Sequence, residues 1–371
     1  MNSLYLHMVA FNIPVPPDYG GVIDVYYKLK ALSSAGARII LHCFEYGRNH
    51  SKELEDLCFK VYYYPRKSGL PYLLRSDPYI VSTRNAKSMP DRLLGDSFPV
   101  LFEGLHSTGE LSSCVRAKKR TLVRAHNIEH LYYRALSGSE KNLFKKLYLR
   151  TEARKLKKYE SLLQQADYVL GIAKHETAYF DEKYGNALFI PPFHRFGELS
   201  SREGRGEYIL FHGNLSVSEN STAFLSLARR ILSKISYQVV VAGKNPSSAF
   251  FRRLSSYKNI RVVANPSDQE LDELIGHAHI NLLQTAQATG IKLKLLHALF
   301  AGRHCLVNPA MVHGTGLNDL CSVAGSYDAL EAKLHELMKS PFTMEAIQQR
   351  KKALKEFSNR AGAEKILRIL S

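Results

Sequence analysis

No run of about eighteen apolar residues occurs anywhere in the 371-residue chain, so no segment is long and apolar enough to span a bilayer as a helix. Met1 to Pro14 is too short and too mixed for a secretory leader, so a cytoplasmic protein is expected. Cysteine is scarce. The five residues, Cys43, Cys58, Cys114, Cys305 and Cys321, are scattered, and no pair has metal-site spacing, which fits a reducing compartment. There is no internal repeat, no low-complexity tract and no recognisable nucleic-acid module. Acid is also short: 34 Asp and Glu stand against 51 Lys and Arg, a net charge of +17. The excess is shared by both halves and is not a tail. It suits phosphorylated ligands or anionic lipid headgroups, with a plain solubility charge as the alternative; a nucleic-acid partner is not expected.

The chain alternates short apolar runs with helical periodicity, the pattern of a parallel α/β protein. Ser3 to Phe11 reads as a strand, followed by a loop ending in Gly20 and Gly21. A helix with Val22, Val25, Tyr26, Leu29 and Leu32 at its spacing follows, and then a strand over Ala37 to Phe44. Ligands of such folds bind beyond the carboxyl ends of the strands, which makes Gly20 and Gly21 candidates for close backbone approach. The spacing is not a GxGxxG fingerprint, so a dinucleotide site is not expected here. Two more predicted strands, near Val100 and Leu122, end in Glu103 and His106 and in Arg124, His126 and Glu129. These are groups suited to proton transfer and to binding hydroxyls. Lys141 to Lys158 reads as a strongly basic helix with an apolar side, most simply a solvated face and otherwise a contact for anionic lipid. Pro191-Pro192 marks a boundary, so one domain is expected over 1–190.

A second α/β pattern is expected over 191–355. Tyr208 to Asn214 and Tyr237 to Lys244 each read as a strand running into a glycine turn, at Gly213-Asn214 and Gly243-Lys244. Ile280 to Leu283 and Cys305 to Val307 bracket the stretch Thr289-Gly290-Ile291-Lys292-Leu293-Lys294-Leu295-Leu296-His297-Ala298-Leu299-Phe300-Ala301-Gly302, predicted as a buried helix entered at Gly290 and left at Gly302. At about 100° per residue, Gly290, Lys294, His297, Ala298 and Ala301 share one stripe. Small residues there let a ligand come close, the helix start favours an anion, and Lys294 adds a charge one turn in. The bland reading, a snorkelling Lys294 and a satisfied core His297, carries equal weight on pattern alone.

Over nearly its whole length the chain resembles glycosyltransferases of the GT-B fold, and within them the retaining family 4 type. Gly290 to Gly302 is the most specific match, to that family's donor loop and helix. The Gly20-Gly21 loop, Glu103-Gly104-Leu105, Arg124-Ala125-His126-Asn127, His212-Gly213-Asn214-Leu215 and Val241-Ala242-Gly243-Lys244 support it. The resemblance implies two Rossmann-like domains facing each other across a cleft, with a C-terminal helix, here about 356–371, returning to the first. It further implies a nucleotide-sugar donor in the second domain, held by Gly213, Asn214, Lys244, Thr289, Gly290, Ile291, Lys292 and His297. The acceptor, a glycan that can be lipid-linked, is implied in the first, near Gly20, Gly21, Glu103, His106 and Arg124. No metal and no further cofactor are implied.

By the same resemblance Lys294 steadies the leaving diphosphate and His126 hydrogen-bonds the sugar. The expected role is sugar transfer in cell-surface polysaccharide synthesis, with the protein at the inner face of a membrane. Two departures matter. Many members carry a pair of glutamates where Thr289 and His297 stand, and basic residues near Asn214 and Asn220. A protein of this fold that binds nucleotide or glycan without turnover, or a nucleotide-sugar epimerase, is therefore the alternative.

Overall fold

A computed structural model describes residues 4–286 and 288–370 and divides the chain into two compact units, Met1–Arg195 with Phe357–Ser371, and Phe196–Glu356. Among the described residues no helix is long and apolar enough to cross a membrane.

The first unit is built on seven parallel strands: β1 (Tyr5–Ala10), β2 (Arg38–Glu45), β3 (Lys60–Pro65), β4 (Val100–Glu103), β5 (Thr121–Ala125), β6 (Tyr168–Gly171) and β7 (Ala187–Phe189), in the order β3-β2-β1-β4-β5-β6-β7. Both faces are covered. Leu6, Met8, Leu101, Leu122 and Leu170 pack into one apolar cluster, while Val9, Phe102, Val123 and Val169 from the same strands enter another. That double burial is why these strands read as unbroken apolar runs. The C-terminal helix Asn359–Leu370 belongs to this unit. Ala363 and Ile366 join the core beside helix Gly20–Ser34. Gly362 lets it sit close, since a Cβ there would lie 2.9 Å from the Phe193 ring.

The second unit has six parallel strands: β8 (Ile209–His212), β9 (Val239–Gly243), β10 (Ile260–Ala264), β11 (Ile280–Leu283), β12 (His304–Val307) and β13 (Ser322–Val323), in the order β10-β9-β8-β11-β12-β13. Helix Asp268–His277 starts with a capping box between Ser267 and Glu270. Arg350 is buried. It donates to the carbonyl oxygen of Gly302 at 2.6 Å and lies over the Phe342 ring, tying helix Met344–Leu354 to the end of helix Leu293–Ala301.

The helix expected from Gly290 to Gly302 is shorter than its pattern. It runs Leu293–Ala301, and Gly290 lies outside it at φ +61°, a conformation that glycine adopts without strain. The entry is therefore a turn through Thr289, Gly290, Ile291 and Lys292 rather than a helical first turn. Gly302 does end the helix, and it is sterically required. A Cβ there would lie 2.2 Å from the Asn281 side chain on β11.

Candidate active site

In the first unit the parallel register sets Glu103, the last residue of β4, beside Arg124 on β5. Helix Gly20–Ser34 faces them with Asp24 and Lys28, one turn apart. Lys28 Nζ donates to both Glu103 carboxylate oxygens at 2.8 Å and to Asp24 at 2.9 Å. Arg124 grips Asp24 with Nε at 3.0 Å and a terminal nitrogen at 2.9 Å, and donates to the carbonyl oxygens of Ile190 and Pro191. The backbone N–H of Phe193 also donates to Asp24, at 2.7 Å. Two carboxylates and two cations thus balance in a buried network. Burial opposes ionisation of Asp24, but Arg124 and Lys28 overcome it and hold its carboxyl well below the usual range. This corrects the reading of Glu103 and Arg124 as acceptor groups. Both are fully buried, and they fix the strand ends and the chain leaving β7.

His126 sits at the edge of that network. Its Nε2 lies 3.1 Å from Asp24 and 3.5 Å from Glu103. Burial pulls its pKa down, yet hydrogen bonds to Asp24 and Glu103, with their charge, outweigh this and raise it, favouring imidazolium. His106 is the opposite case. Burial, with Arg84, His126 and Arg66 nearby, holds it well below the normal range and therefore neutral. Its buried Nδ1 has no partner among the described residues. The Phe11 ring packs against both imidazoles, with centroids at 5.3 and 5.7 Å. Gly104, between the strand and His106, has φ +74° and no room for a Cβ, which would lie 2.9 Å from His106 Nδ1. Gly21 lies under Phe11, whereas Gly20 borders open space at a helix start with no side-chain cap. His106, His126 and the Gly20 turn are the polar groups this unit gathers beyond its strand ends. Asp24 and Lys28 were missed because a pair four residues apart on a helix reads as a surface ion pair until Glu103 and Arg124 are placed against it.

Among the described residues, Asp24, Glu103 and His126 form a cluster whose potential ligand atoms lie within 4.8 Å of one another. Those carboxylates already bind Lys28 and Arg124, so a divalent ion would face two fixed cations; the donor set does not suit a metal.

In the second unit Lys294 sits against β8 and the residue following β11. Its Nζ donates to the Gln284 carbonyl oxygen at 2.7 Å and to Asn220 Oδ1 at 3.1 Å, and lies over the Phe211 ring at 5.9 Å. Burial lowers its pKa to about 8, with Glu219 opposing and Lys292 assisting. Lys292 donates to the Thr289 carbonyl oxygen and so closes the entry turn. Glu219, not foreseen from sequence, accepts from Thr285 Oγ1 and from the Ala286 N–H, both at 2.7 Å. Burial would raise its pKa, but these bonds with Lys294 and Lys292 lower it, so it stays ionised. Asn220 reaches Lys294 directly. Its amide also donates to the Asn214 carbonyl oxygen at 2.9 Å, fixing the turn after β8. Gly213 and Gly243 meet closely: a Cβ on Gly243 would lie 1.9 Å from the Gly213 carbonyl oxygen. Lys244, next along, is exposed. Ile291 is buried and anchors the entry turn.

His297 points to the same strand end but is engaged. Its Nε2 bonds Asp272, Phe196 stacks on it at 4.3 Å, and it meets His212 edge-on at 5.9 Å. It is buried, so the structure gives it a protein partner where a sugar or ribose hydroxyl was expected. His212 is buried and held neutral, and its Nε2 has no partner among the described residues.

No family model matches the chain. An uncharacterised 44.6 kDa protein from the cps region of Klebsiella pneumoniae is 26% identical over 330 residues, covering 84% of each chain. A glycosyltransferase from Rickettsia africae superposes with a TM-score of 0.67 at 14% identity, over 100% of this chain and 98% of the other. The apo lipopolysaccharide outer core galactosyltransferase WaaB gives 0.65 at 12% identity, over 99% of both chains. Anabaena HepE, solved with UDP and glucose, gives 0.65 at 8% identity, again over 99% of both. The chain has the GT-B fold, as expected from its sequence.

Proposed function

We propose that the protein is a glycosyltransferase that moves a sugar from a nucleotide-sugar donor to a carbohydrate acceptor, free or lipid-linked, in cell-surface polysaccharide synthesis. The observation that carries this reading is the cationic strand end of the second unit. Lys294 and Lys292, with the turns at Gly213 and Gly290, converge where a departing nucleoside diphosphate would need its charge met. Fixed cations and backbone N–H groups aimed at a leaving group lower the barrier most where water is excluded. Lys294 is the group assigned to that charge, with Lys244 reaching in from the surface and no metal required. In the first unit His126, favoured as imidazolium, donates to a sugar hydroxyl, and His106 with the Gly20 turn takes part of the acceptor. Retention of anomeric configuration belongs to this reading through the family resemblance. The relative from a cps region supports the polysaccharide pathway, and HepE, holding UDP and glucose, supports a nucleotide-sugar donor.

One observation favours a second reading, a protein that binds the donor without turnover. Asp272 and Phe196 already occupy His297, and Thr289 supplies no carboxylate. The test is release of nucleoside diphosphate from a panel of nucleotide sugars in EDTA, with and without glycan acceptors. Acceptor-dependent release from one donor supports transfer. Binding with no release under any acceptor supports the second reading.

A further inference from the structure

Beyond the carboxyl ends of β1 and β3 the first unit sets two arginines together without an acid. The pairing of Glu45 with Pro65 in the β2–β3 register places the next residues, Tyr46 and Arg66, side by side. Arg66 lies over the Tyr46 ring at 3.9 Å and the Tyr79 ring at 5.9 Å, and its Nε donates to Thr83 Oγ1 at 3.3 Å. Arg84, the residue after Thr83, turns inward and is only 5% exposed. Its Nε donates to the carbonyl oxygen of Phe11, the residue after β1, at 2.7 Å, and one terminal nitrogen donates to that of Ile80 at 2.6 Å. The other terminal nitrogen of Arg84 and both of Arg66 have no hydrogen-bond partner among the described residues, and neither arginine has a carboxylate partner there. Arg48, which covers the Tyr19 ring, is by contrast paired with Asp18.

Burying a cation without a counterion is unfavourable, and the effect is visible here. Burial, reinforced by Arg66, pulls Arg84 down to about 9, against the opposing influence of Tyr133, Tyr19 and Tyr46. Both arginines also help to keep His106 neutral. Glu129 is an acid that feels Arg84, but burial pushes its own carboxyl up to about 7, so it balances the charge only in part.

A structural role explains the two bonds that Arg84 makes, which tie segment 80–84 to the end of β1. It does not explain why Arg66 is set beside it with its terminal nitrogens open. An oxyanion explains both. Guanidinium donors match the geometry of a carboxylate or a phosphate, and the positive charge to be neutralised is already in place. The Tyr46 and Tyr19 rings, 60% and 44% exposed, offer flat apolar surface to the body of a sugar. We propose that Arg84 and Arg66 select an acceptor bearing an anionic group, the carboxylate of an acidic sugar or a phosphate ester, bound just beyond β1 and β3. The proposal rests on the transferase reading only in calling the ligand an acceptor; binding of the anionic sugar needs neither donor nor turnover.

The test is calorimetric titration of methyl glucuronide, glucose 6-phosphate and methyl glucoside into the full chain at pH 7 and fixed ionic strength. One of the two anionic sugars should bind at least about tenfold tighter than methyl glucoside, and which one does so identifies the anion as carboxylate or phosphate. Arg66→Gln should lose about tenfold of that affinity and bring charged and neutral sugars level, while keeping the wild-type fold, because its side chain is only half-buried and makes no ion pair. Arg84→Gln should lose as much or more; where its lost bonds to Phe11 and Ile80 unfold it, Arg66→Gln decides alone. Nucleoside diphosphates are titrated into the same preparations, so the transferase reading is scored separately. No preference for an anionic sugar, or a preference that Arg66→Gln retains, would overturn the proposal whatever the nucleotides do.

Discussion

Asp24 Oδ2 lies 3.1 Å from His126 Nε2, and the same carboxylate holds Arg124, Lys28 and the N–H of Phe193. One acid on the first long helix thus sets the ring position of the histidine assigned to the sugar and the path of the chain leaving β7. Asp24→Asn removes the negative charge and leaves two buried cations facing Glu103 alone. The variant should lose about 3–5 kcal/mol of stability in urea unfolding. A loss under about 1 kcal/mol would show that the network is not the anchor described.

The pH dependence at His126 follows from the direction of its shift. Its folded pKa is raised above 6.5, so the imidazolium is bound more tightly in the folded state. That contribution is complete below pH 6.5 and is lost as pH rises through the raised value. Wild type should therefore be more stable than His126→Gln by a margin that is largest near pH 6 and shrinks towards pH 9. A margin that grows with pH would contradict the hydrogen bonds assigned to Asp24 and Glu103.

Glu129 works in the other direction. Burial raises its carboxyl from 4.5 to about 7, with His126 opposing. Between those values the unfolded chain has lost the proton and the folded one keeps it, so folding is penalised increasingly as pH rises. Glu129→Gln should leave stability unchanged near pH 4 and stabilise by about 3 kcal/mol at pH 8. Thermal unfolding at the two pH values reads the difference directly.

Much of this organisation was legible in the chain. Strands buried on both faces announce themselves as apolar runs, and β1, β2, β8, β9 and β11 were placed within a residue or two. β7 is not legible in the sequence because its three residues lead straight into Pro191-Pro192. β13 has two residues and no pattern to read. Lys294 was singled out by its stripe, and it does sit among the strand ends. Its neighbour Glu219 was not, because its place depends on the turn after β8 and not on helical periodicity. Arg124 and Glu103 failed as ligand groups for a related reason. A charged residue at a strand end looks the same in sequence whether it faces solvent or a countercharge from a distant helix.

On the proposed assignment of Lys294 to the diphosphate, its lowered pKa makes nucleotide binding pH-dependent. With its proton held only to about pH 8, affinity for a nucleoside diphosphate should fall between pH 7 and pH 9 in the wild type. In Lys294→Met it should be weak and flat. A charge-assisted hydrogen bond of about 1.5–3 kcal/mol corresponds to roughly 10–100-fold in dissociation constant at pH 7.

The measurement that bears most directly on the central claim is calorimetric titration of nucleoside diphosphates and nucleotide sugars into wild type and Lys294→Met, in EDTA at pH 7. The account predicts that one nucleotide family binds the wild type and that the variant loses at least about tenfold of that affinity while keeping its fold. Binding that is indifferent to Lys294, or no binding by any nucleotide to a folded wild type, would contradict a metal-free donor site at the strand ends of the second unit.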